Sequence, residues 1–119
     1  MIKLIHLKTR SQQASEGLAR NIIKNAKNQV YKTWDYELIN LVENKLNYDS
    51  IYHNPPQYVD NPDKHVWFII GVDDTDVILK PVITEGYELT DDLASLHTGR
   101  LLEMLMKYHY NDFTELSVR

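Results

Sequence analysis

An apolar residue stands at every fourth position from Ala14 to Leu46: Ala14, Leu18, Ile22, Ala26, Val30, Trp34, Leu38, Val42 and Leu46. A helix turns about 100° per residue, so a four-residue step overshoots one turn and the stripe drifts by about 40° each time. Over the whole run the stripe nearly circles the helix axis, and one straight helix cannot bury it against a flat surface. The spacing therefore predicts two helices, at 13–32 and 35–47, with a break near Lys32 to Asp35 where Thr33 or Asp35 caps the second. Before them, Ile2-Lys3-Leu4-Ile5-His6-Leu7 is short and rich in branched apolar residues, which predicts a strand. Residues 48–64 hold Pro55, Pro56 and Pro62 among Asn, Asp and Tyr without a period, which predicts a long loop.

His65 to Val72 and Val77 to Thr84 read as the strands of a hairpin closed by Asp73-Asp74-Thr75-Asp76 and ended by Glu85-Gly86. Pro81 has no N–H to give a ladder, so it marks an edge or a bulge. Thr90 before Asp91 and Asp92 is a helix start, and that helix is expected to run to about Tyr110, with a last short strand at Thr114 to Val118. These elements predict an α+β fold in a single domain, 1–119: a small sheet with a central hairpin, two N-terminal helices and one C-terminal helix packed on it.

Composition narrows the function classes. A chain of 119 residues with 43% hydrophobic and 25% charged residues is ordinary for one globular domain. The absence of cysteine excludes disulfides, thiolate zinc sites and cysteine nucleophiles. No apolar run approaches the ~20 residues of a membrane span, and the start carries no signal-peptide pattern, so a cytoplasmic location without membrane contact is expected. Ile, Lys, Asn and Tyr, all with AT-rich codons, make up 36 of the 119 residues, which points to a low-GC bacterium or its phage.

Charge is segregated behind a net of only −4. Residues 1–32 carry seven Lys or Arg against Glu16 alone, and residues 33–119 carry six against sixteen Asp or Glu. On the first predicted helix Arg20, Lys24, Lys27 and Tyr31 fall on one side, opposite Leu18, Ile22 and Ala26. Either the acidic remainder of the chain covers this stripe or a charged partner does. An acidic protein surface is the expected partner; the alternative is nucleic acid, with the cations on phosphates and Asn21, Asn25 and Asn28 beside them.

The tyrosine-rich loop is the other expected contact, with Tyr48, Tyr52, His53 and Tyr58 presenting amphipathic area on a segment stiffened by Pro55-Pro56. The last helix has a wide apolar arc including Leu101, Met104, Leu105 and Met106, which suits either a central packing position or a homodimer contact. His97 lies inside that arc and is expected to be a hydrogen-bonded core residue. The five histidines show none of the close spacings of a metal pair, and no cofactor is expected.

A third reading places a metal-dependent enzyme at the Asp73–Asp76 turn, since clustered carboxylates at a strand end can hold Mg²⁺. Gly71-Val72-Asp73-Asp74-Thr75-Asp76 is similar to the Gly-Ile-Asp-Asp-Thr-Asp string near the amino terminus of the tRNA-isoleucine agmatidine-modifying enzymes. The similarity stops at six residues, and the flanking sequence does not continue it. The leading expectation is a small non-catalytic interaction module: a regulator, inhibitor or assembly factor.

Overall fold

In the computed structural model, residues 3–41, 45–83 and 87–119 are described. Strand β1 is Ile5–Lys8, with Ile5 and Leu7 turned into the core. Helix α1 follows at Gln12–Lys27, and the Ser11 hydroxyl caps it by accepting from the Ala14 N–H at 3.1 Å. It stops earlier than the expected Lys32 because a Schellman turn closes it. The Gln29 N–H bonds the Ala26 carbonyl at 3.2 Å, the Val30 N–H bonds that of Asn25 at 2.9 Å, and Gln29 takes the left-handed conformation with φ 58°.

The expected second helix over 35–47 does not form, and the three-helix architecture is corrected accordingly. Trp34–Asn40 is strand β2, paired in antiparallel register with β3, Asn47–His53; Val42 lies outside the described residues. The reason is geometric. A four-residue step returns a strand to the same face with no drift at all, so Trp34 and Leu38 satisfy a sheet better than a helix. The alternation Trp34-Asp35-Tyr36-Glu37-Leu38 supplies the missing period of two, with an aromatic and branched content that suits a pleated surface. The loop expected at 48–64 accordingly begins only after His53.

The remaining elements fall close to expectation. Strands β4, Trp67–Asp73, and β5, Asp76–Val82, form the hairpin, with Asp74 at φ 54° in its two-residue turn. Helix α2 spans Asp91–His109, with the Thr90 hydroxyl accepting from the Leu93 N–H at 3.2 Å, and β6 is Glu115–Val118. Glu85-Gly86, the expected end of the hairpin, lies outside the described residues. Pro81 sits past the last residue of β5 that pairs with β1, so its missing N–H costs no ladder bond there.

The six strands are ordered β2-β3-β4-β5-β1-β6, and every neighbouring pair is antiparallel. Trp34, Ile51, Phe68, Leu79 and Ile5 share one face, where they join Leu18, Ile22 and Ala26 of α1 and Leu101, Met104 and Leu105 of α2 in a single core. Both helices therefore cover the same side of the sheet. The opposite face carries Asp35, Glu37, Tyr52, Trp67 and Lys80, and among the described residues neither α-helix covers it. The fold is a two-layer α+β sandwich.

Candidate functional site

The eight residues expected at a partner surface separate into distinct regions. Arg20, Lys24 and Lys27 are exposed on α1, as the helical projection requires. Lys27 holds its ammonium 4.4 Å from the centroid of the Tyr36 ring on β2, a cation–π contact. Among the described residues, the carboxylates of the ion pairs belong to Asp76, Glu103 and Asp112, and none lies within 4.0 Å of these three cations. The acidic part of the chain that is described thus leaves the stripe open.

Tyr31 leaves that stripe. The turn after Lys27 reverses the backbone, and the ring is buried at 4% exposure with its edge against Tyr108 at 5.0 Å. The Asn25 side-chain N–H donates to its hydroxyl at 3.2 Å, and the hydroxyl bonds Nε2 of His109, whose Nδ1 faces the Asp112 carboxylate at 2.8 Å. Burial pushes the phenol up to about 12, so it stays protonated and donates to the imidazole. This chain of bonds ties the end of α1 to the end of α2.

Tyr48 and Tyr52 part from His53 because β3 alternates. Even-numbered positions face the helix-free side of the sheet, where Tyr52 meets Trp67 at 5.4 Å and His65 at 5.1 Å, while Ile51 and His53 face the helices. The connection from β3 to β4 is pinned by Asn54. Its N–H bonds the Thr33 carbonyl at 2.6 Å, its side-chain amide donates to Asp35 at 2.7 Å, and its amide oxygen accepts from His65 Nε2 at 2.9 Å.

His53 and Tyr58 meet 5.9 Å apart at a cleft of about 470 Å³ between the start of β2, the loop after β3 and the C-terminal half of α2. Its floor is aromatic and apolar, made by the buried Tyr31, Trp34 and Met104. Its rim carries three exposed cations, Lys32, Arg100 and Lys107, against one carboxylate, Glu103, which pairs with Arg100 at 3.4 Å. Burial first, and then the Arg100 charge, hold His53 below the ordinary imidazole range, with Glu103 opposing. Lys32, Arg100 and Lys107 were not identifiable from sequence, because nothing local marks residues so far apart as neighbours.

Behind the cleft wall, His97 packs against His53 at 6.2 Å and Tyr58 at 6.0 Å. It is a core residue, as expected, with 0% exposure, but among the described residues neither ring nitrogen completes a hydrogen bond. Burial pushes its pKa down to about 4, helped by His53 and His65 and opposed by the Lys64 main chain, which lies close without completing a hydrogen bond. On the same helix Met104 is buried while Leu96 and Met106 are exposed, as is Tyr110 just past its end.

The Asp73–Asp76 turn is a tight hairpin whose Asp76 carboxylate lies 3.3 Å from His6 Nδ1 and 3.9 Å from Arg119. Among the described residues, no three His, Asp or Glu side chains are grouped so as to hold a metal ion. Among the described residues, no helix is long and apolar enough to cross a membrane. No protein family, curated protein or solved structure matches this chain.

Proposed function

We propose that this protein is a small non-catalytic interaction module, a regulator, inhibitor or assembly factor, that docks an acidic protein surface on the Arg20, Lys24 and Lys27 face of α1. The supporting observation is that these three neighbouring cations have no carboxylate within 4.0 Å among the described residues, in a chain whose net charge is −4. An open basic patch on an acidic protein favours the orientation in which an acidic partner meets that patch, because the protein's own acidic side repels the partner. Lys24 and Lys27 also sit in the last turn of α1, where the macrodipole favours cations, so the fold keeps them there without a counter-charge.

The test is affinity capture from nuclease-treated host extract, comparing the wild-type protein with Lys24→Glu/Lys27→Glu. A partner bound through this face is lost in the reversed variant and elutes as salt rises; capture unchanged by the reversal would refute the assignment. A fluorescent single-stranded oligonucleotide is titrated in parallel at ~50 mM salt. Tight binding that falls steeply with salt would transfer the face to nucleic acid instead.

A further inference from the structure

We propose that the cleft between β2, the loop after β3 and α2 is a binding site for a small aromatic anion, a planar ring that carries a phosphate or a carboxylate. This goes beyond the docking function of α1 and does not depend on it. The volume, about 470 Å³, lies within the ~300–1,000 Å³ of small-molecule sites, and the arrangement is the usual one of an apolar floor with a few polar groups around it. The half-buried rings of Tyr58 and Tyr108 offer surface, which suits a planar ligand. The rim supplies the charge: three cations against Glu103 leave an excess that an anion neutralises.

Two features show the cations held in place. Lys107 rests its ammonium 5.2 Å from the centroid of the Tyr108 ring, itself a cleft residue. Lys32 occupies the left-handed region at φ 66°, a conformation that glycine adopts without strain and a lysine does not. Lys32 thereby stands in the turn that leads into β2, at the mouth of the cleft. His53, whose ring lies beside the same rim, answers to Arg100 and therefore to any anion that screens it.

The experiment follows Trp34 emission in a Trp67→Phe background during titration with adenosine 5′-monophosphate and, separately, 4-hydroxyphenylacetate. Adenosine and inorganic phosphate serve as the half-ligands. A ring bearing an anion is expected to bind at least about ten-fold more tightly than either half alone. The Arg100→Glu/Lys107→Glu variant should lose at least about ten-fold in affinity, a change of the size a double charge reversal produces at a partly desolvated site. Lys32→Gly should weaken binding several-fold with no loss of Tm, a combination a merely structural lysine would not give. The His53 ring, followed by NMR, should titrate at higher pH when the anion is bound.

A response to the nucleotide alone assigns a phosphate ligand, and one to the arylacetate alone assigns a carboxylate; both support the site. The proposal is overturned if neither compound gives a saturable change, if adenosine binds as well as its monophosphate, or if the charge-reversed variant binds as the wild type does. Because α1 is untouched in every variant, failure here leaves the acidic-partner test standing.

Discussion

Acidification should destabilise this protein through His97, and the size of the effect follows from where the ring sits. The imidazole is fully buried, completes no hydrogen bond at either nitrogen among the described residues, and is held down to about 4. In the unfolded chain it returns to its ordinary value of 6.5. Between these limits the unfolded state carries a proton that the folded state refuses, so stability falls as pH falls from 6.5 to about 4 and the loss levels off below. Each pH unit that separates the two values is worth about 1.4 kcal/mol, so the whole window amounts to about 3 kcal/mol. His53 and His65 are also held below their ordinary value, both chiefly by burial, and add in the same direction.

The assay is urea unfolding monitored by tryptophan emission at several pH values from 7 to 4, with wild type compared to His97→Leu. Leucine is close in volume and has nothing to protonate, so the difference between the two curves isolates this ring from the carboxylates that titrate in the same range. His97→Leu should be as stable as wild type or better at pH 7, because two unpaired polar atoms are removed along with the ring. It should then lose about 3 kcal/mol less than wild type on the way to pH 4. Parallel curves for the two proteins would refute the reasoning.

Tyr31→Phe removes the hydroxyl that joins Asn25 to His109 and leaves the imidazole Nε2 without its donor, so unfolding should cost about 1–3 kcal/mol less, read as a lower urea midpoint. Phe68→Ala empties a fully buried site between Ile51 and Pro81 and should cost about 3–5 kcal/mol; a smaller loss would mean that the sheet and helices close over the gap.

The elements that could be read from sequence are those whose signal is local. Thr90, Asp91 and Asp92 announce the start of α2 by cap chemistry, and the Asp-Thr turn announces the β4–β5 hairpin by turn chemistry. The segment from Trp34 to Leu46 was illegible because its four-residue spacing is close to one helical turn and is also two strand repeats. The alternation at Asp35, Tyr36 and Glu37 was the signal that decides between them. The basic stripe was legible because a helix projects its own residues, whereas Tyr31 was misplaced because the Gln29 turn ends that projection four residues after Asn25. The cleft was not legible at all. Lys32, His53 and Arg100 come from separate elements, and only the closed tertiary fold makes them neighbours.

The position of β1 between β5 and β6 has a consequence for how the molecule is made. Ile5 stands opposite Leu79 on one side and Val118 on the other. On a ribosome, therefore, β1 emerges well before either of its partner strands, while β2 to β5 can pair in succession as they emerge. Contacts so remote along the chain slow folding, and Ile5 and Leu7 stay unpaired until the β5 residues have emerged. For that interval the nascent protein presents a short apolar strand open to chaperones and proteases, and the docking of β1 on β5 is the event that ends the exposure.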